Sequence, residues 1–123
     1  MRRSIFLLLI AFGIGGVVIA QSSKQELLTG TWILTSDEMS GIGKHQSLPQ
    51  ETQIRFSEDG NWQATASIQN AKQGQWRLEN NGKLLVLISD EEIRYQVLAL
   101  SETTLSLRMK KQTATYTLSW SKK

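Results

Sequence analysis

One histidine, no cysteine and two short acidic clusters carry the reactive side chains of this 123-residue sequence. His45 lies in a glycine-containing stretch with neither a second histidine nor a cysteine beside it. A zinc site draws on three or four His, Cys or carboxylate ligands, so no metal centre is expected. Asp37-Glu38 and Asp90-Glu91-Glu92 offer neighbouring carboxylates, the groups that glycoside hydrolysis uses in pairs. Both clusters fall where strand-like runs end, and acids are ordinary turn residues there. No spacing suggests a Ser-His-acid arrangement, and there is no glycine-rich phosphate loop. The expectation is a protein that is not an enzyme and needs no cofactor.

The aromatic residues give a different kind of signal. Three of the four tryptophans follow a glycine by two positions, in "GTWIL" (30–34), "GNWQA" (60–64) and "GQWRL" (74–78). The tryptophans are 30 and then 14 residues apart, so they do not mark a repeat of fixed period. A glycine where a strand begins leaves room for a large ring two residues on.

Alternation with period two runs through most of the sequence. "NWQATASIQ" sets Trp62, Ala64, Ala66 and Ile68 against Asn61, Gln63, Thr65 and Ser67. "EIRYQVLAL" sets Ile93, Tyr95, Val97 and Ala99 against Arg94 and Gln96. "TLSLRMK" and "TATYTLSW" alternate in the same way and bring Met109, Tyr116, Leu118 and Trp120 to the apolar side. Turn signals separate the runs, among them Asp59-Gly60 and Asn81-Gly82. The pattern predicts eight strands near 31–37, 52–57, 61–69, 73–79, 83–89, 92–100, 103–109 and 112–120. The strand at 83–89 is apolar on both faces and has no assignable orientation.

Short links predict that neighbours in sequence pair in space. Only "EMSGIGKHQSLPQ" (38–50) is long, and a loop of that length in a compact domain is functional or mobile. Eight meandering strands with one apolar face hide that face, and lose both edges, by closing. The expected fold is all-β: a closed eight-stranded antiparallel up-and-down barrel over 30–123, preceded by a short segment, 21–29. A barrel of this size is filled by side chains or holds one small ligand. Ala64 and Ala66 either open a cavity between the rings or are covered by bulky residues opposite, and the sequence leaves both outcomes open.

Residues 27–120 resemble the lipocalin family and its calycin relatives, most of all the short bacterial lipocalin-like domains that are exported. The resemblance rests on "LLTGTWIL", "IRFSEDGNW", "GQWRL", "KLLVL" and "LSLRM" in that order. It implies that Trp32 lies across the closed end of the barrel and that loop 38–50 stands at an open mouth. The family stacks an arginine from near the last strand on that tryptophan; Arg108 and the terminal lysines are the residues here that fall near that position. The implied function is binding of a small hydrophobic molecule, with Trp62, Trp76, Tyr95 and Tyr116 as candidate contacts and Ile42 as a candidate lid. The alternative is a filled barrel that serves as a structural or protein-interaction module, with Leu98 and Leu100 as an outward patch.

The N-terminus reads as an export signal. Arg2 and Arg3 precede an uncharged run from Ile5 to Ala20, and Val18 and Ala20 suit cleavage before Gln21. The run is shorter than the roughly 20 residues of a spanning helix, although a retained anchor is the alternative. Cleavage removes both arginines and lowers the formal net charge from +3 to +1. Such a surface gives no case for nucleic acid, whose binding rests on clustered Lys and Arg. The expected location is periplasmic or secreted, with no stable membrane insertion after cleavage.

Overall fold

The computed structural model describes residues 24–43 and 47–123. The expected leader, 1–20, and His45 lie outside the described residues. Eight strands follow a helical turn at 24–28: β1 (Gly30–Gly41), β2 (Gln53–Phe56), β3 (Asn61–Ile68), β4 (Ala71–Glu79), β5 (Leu84–Ile88), β6 (Glu92–Leu100), β7 (Thr104–Lys111) and β8 (Ala114–Lys122). Each pairs antiparallel with the next, and β1 pairs with β8, so the sheet closes as an up-and-down barrel. The short turns hold their shape with residues that tolerate positive φ. At the β4–β5 turn, Asn80, Asn81 and Gly82 all take left-handed conformations.

Closure places the alternating apolar residues inside. Trp32, Phe56, Trp62, Tyr95, Leu105 and Trp120 are buried in one continuous core. The register also orients β5: Leu85 and Leu87 stand opposite Leu78 and Trp76 and face inward. Val86 faces the other way and is still fully buried. Arg77 and Arg94 flank it on β4 and β6, with Glu79 and Glu92 bridging them in a surface ion network. Their aliphatic stems are placed to shield Val86 while the charged heads remain in water.

Two bulges correct the expected register. An irregularity in the β6–β7 ladder between Val97 and Ala99 shifts the alternation by one residue. Ala99 becomes exposed, whereas Leu100 packs against the core instead of facing outward. A second irregularity between Leu34 and Ser36 lies in β1, which runs on to Gly41, beyond the expected end near residue 37. A bulge adds one residue to one strand and so reverses the faces beyond it. Asp37 is thereby paired with Leu118, and Met39 with Tyr116, on the inner side.

The glycine of "GQWRL" works differently from the expectation. Gly74 is the cross-strand partner of Trp62, and a Cβ there would stand 2.9 Å from Trp62 Nε1 and collide with the Ile88 carbonyl. It accommodates the preceding tryptophan across the ladder and the β5 backbone, not the ring of Trp76.

Candidate functional site: the barrel mouth

The two ends of the barrel differ. At one end the 24–28 turn lies under the barrel, with Leu28 buried. Trp32 Nε1 donates to the Leu28 carbonyl at 2.8 Å. Lys122 Nζ sits 4.5 Å from the centre of the Trp32 ring and donates to the carbonyls of Leu27 (2.8 Å) and Thr29 (2.7 Å). Burial holds its pKa below the ordinary lysine value. A Cβ at Gly30 would lie 2.8 Å from Lys122 Cε, so the glycine clears the path of that side chain. The cation that stacks on the first tryptophan is therefore Lys122. Arg108 instead bonds Gln96 on the outer face.

At the other end a cavity of about 630 Å³ opens to solvent. Its inner wall includes Asp37 of β1, Tyr95 of β6, Met109 of β7, and Tyr116 and Leu118 of β8. Ala66 and Ile68 of β3 line another side, where the β3–β4 ladder is interrupted between Gln63 and Ile68. The rim carries the left-handed residues Gln69, Asn70 and Gln112 of the tight turns.

The connection from β1 to β2 closes part of the mouth. Asp37 Oδ2 accepts a hydrogen bond from the Leu48 amide at 2.7 Å, and Leu48 packs against the core. The Thr113 hydroxyl donates to the Ile42 carbonyl at 2.9 Å, tying the rim to the β7–β8 turn. The Thr52 amide and hydroxyl both bond Pro49, and its carbonyl receives the Leu34 amide. These bonds anchor the loop on both sides of residues 44–46.

Of the residues expected to contact a ligand, Tyr95, Tyr116 and Ile42 come together at this cavity. Tyr95 is 2% exposed, whereas Ile42 is 82% exposed and stands at the rim. The apolar residue of the loop that reaches the core is Leu48. Trp62 and Trp76 do not line this cavity. Trp62 is buried in the core, and Trp76 packs edge-on against Phe56 at 5.5 Å while donating to the Ser57 carbonyl. Trp32 lies at the opposite, closed end.

Asp37 was not among the expected contacts, because an acid following "WILTS" reads as the end of a strand. The available signal was the return of an apolar residue at Met39, in phase with Asp37 and out of phase with Leu34. Among the described residues no group of three or more His, Cys, Asp or Glu side chains could hold a metal ion.

No curated protein matches this chain in sequence. The family description "Lipocalin-like domain" matches residues 28–107, which span the chain from the buried Leu28 through six whole strands and into β7. With the closed eight-stranded barrel, its first tryptophan at the sealed end and its open mouth opposite, the chain belongs to the lipocalin-like domain family.

Proposed function

We propose that this protein binds a small, largely apolar molecule in the mouth cavity and works outside the cytoplasm after its leader is removed. The observation that carries the reading is the cavity itself. About 630 Å³ of space lies within the 300–1,000 Å³ range of small-molecule sites, and apolar side chains supply much of its inner wall. Burying apolar ligand surface there supplies the affinity, at roughly 25 cal/mol per Å² before the cost of association. Tyr95 and Tyr116 are the proposed aromatic contacts, with Ile42 at the rim. Lipocalin-like domains are in general binders without catalysis, and this supports a non-enzymatic role. The hydrophobic run Ile5 to Ala20 supports export.

The alternative of a filled barrel that works through its outer faces has less support. Its expected patch reduces to Leu98, 44% exposed, because Leu100 packs against the core.

Native mass spectrometry of protein exported by its own signal and purified without detergent tests the reading. Bound mass that disappears on denaturation, on a polypeptide beginning at Gln21, is the expected result. Ala66→Leu adds bulk to the cavity wall and is expected to remove the bound mass while the protein stays folded. Bare polypeptide under every purification condition favours the filled-barrel reading.

A further inference from the structure

Strands β3 and β4 carry a second recess, of about 620 Å³, that shares only Asn70 with the mouth cavity. It forms where β5 stops. The last rung of the β4–β5 ladder joins Gln75 to Ile88, so residues 71–74 of β4 run on with no strand paired on that side. The β5–β6 turn supplies Ser89 and Asp90 at the border. Two cross-strand pairs, Asn61 with Gln75 and Gln63 with Gln73, place four exposed amide side chains across the recess. Farther along β4 the outward residues are Arg77 and Glu79, which are tied into the surface ion network. On this strand the amides are confined to the part that lines the recess.

Trp62 lies in the same wall, and its Nε1 is buried with no hydrogen-bond partner among the described residues. Most buried polar atoms in folded proteins are bonded, so an orphaned indole N–H points to a group that arrives with a ligand. The atom stands against Gly74, 2.9 Å from where a Cβ would be, and Gly74 is a wall residue without a side chain. The ring otherwise packs in the apolar core. The recess is therefore the side on which an acceptor approaches this donor.

Lys72 and Asp90 are the charged residues of the lining, one of each sign, so the recess has no net charge with which to select an ion. An extended peptide pairing with the free edge of β4 would meet Lys72, and a lysine on an edge opposes added strands. Each side-chain amide presents two donors and an acceptor, and a sugar hydroxyl is both donor and acceptor. We propose that this recess is a second ligand site, for a neutral carbohydrate whose hydroxyls bond the amides of Asn61, Gln63, Gln73 and Gln75 and which turns one oxygen toward the Trp62 N–H at Gly74. Trp62 is 1% exposed and offers no face for stacking on a sugar ring, so binding rests on hydrogen bonds and is weak.

The test titrates cellotetraose, chitotetraose, tetragalacturonate and a capped tetraglycine peptide into isotopically labelled protein exported by its own signal. Side-chain amide and indole N–H signals are the readout. At least one of the two neutral sugars is expected to move the amide signals of Gln63, Gln73 and Gln75 and the Trp62 indole signal saturably, while the backbone signals of Met109 and Tyr116 at the mouth stay in place. Tetragalacturonate is expected to bind at least about fivefold more weakly, because its carboxylates would lose water with a single lysine to meet them. Gln73→Ala should weaken the sugar by about three- to tenfold, and Trp62→Phe should weaken it while keeping an aromatic ring in the core. Gln73 is exposed, so that variant decides the matter even if Trp62→Phe fails to fold. Equal or tighter binding of tetragalacturonate would overturn the neutral class of ligand. A response to the peptide alone would make the recess a strand-pairing edge and overturn the carbohydrate. Silence at the recess with both neutral sugars, or shifts confined to the mouth, would overturn the site, and the reading of the mouth would stand apart from that result.

Discussion

Strand β3 turns Trp62 inward toward the closed end and Ala64 and Ala66 inward toward the mouth. Strand β8 runs the other way, from Ala114 and Tyr116 at the mouth to Trp120 and Lys122 at the closed end. Strand β1 has Trp32 and Leu34 at its start and, beyond the bulge, Asp37 and Met39. From the closed end to the mouth, the inward residues of β1 and β3 pass from tryptophan to smaller or polar groups. The same barrel circumference is therefore filled at one end and open at the other, although an eight-stranded barrel permits either. The closed end concentrates the packing that stabilises the fold. The mouth carries empty space, a feature that opposes stability and persists where function requires it.

Truncating the closed end should have the largest effect. Trp32→Ala removes a fully buried ring, its bond to Leu28 and the platform under Lys122. A loss of about 3–5 kcal/mol is expected in urea unfolding. Lys122→Met keeps the apolar stem but removes the cation over the ring and two bonds to carbonyls. It should cost about 1–2 kcal/mol and speed amide exchange in residues 24–29. Neither change touches the mouth, so the bound mass seen by native mass spectrometry should be retained in the folded Lys122→Met protein. A parallel loss of affinity would show that the ends are coupled, and the division into a packed end and a binding end would fail.

How much of this was legible in the sequence follows the same division. Period-two runs such as "NWQATASIQ" and turn pairs such as Asn81-Gly82 depend on local chemistry, and they locate all eight strands and the closed barrel. The position of Trp32 at the sealed end follows from the resemblance carried by "LLTGTWIL". The bulges were not legible, because one extra residue leaves the composition unchanged while reversing every face beyond it. That reversal hid Asp37 within the mouth and misplaced Ala99 and Leu100. The resemblance narrows the cation over Trp32 to Arg108 or a terminal lysine, but the choice of Lys122 depends on its partners Leu27 and Thr29, 95 and 93 residues away, which only barrel closure brings to it. Trp62 and Trp76 look like ligand contacts as inward aromatics, but their distance along the barrel axis from the mouth depends on strand stagger, which alternation does not encode.

The smallest effect at neutral pH should come from the mouth. Tyr95→Phe removes only the hydroxyl of a buried side chain that lines the open cavity, and it keeps the packing of the ring. At pH 7 the variant should match the wild type or exceed its stability by up to about 1 kcal/mol. Alkaline pH separates the two. Burial, and then the charge of Asp37, raise the Tyr95 pKa above the ordinary tyrosine value of about 10. Below about pH 10 the phenol is protonated in both folded and unfolded chains, and its contribution to stability is fully present. Above that pH the unfolded chain releases the proton while the folded chain retains it, so stability is lost as pH rises toward the folded pKa. The wild type should lose about 1.4 kcal/mol per pH unit relative to Tyr95→Phe in this window. Unfolding curves at pH 7, 10 and 11 measure the difference, since all other titrating groups are common to both proteins. Parallel curves would place the hydroxyl in water, and the inner wall of the mouth would then be hydrated where the sealed end is dry.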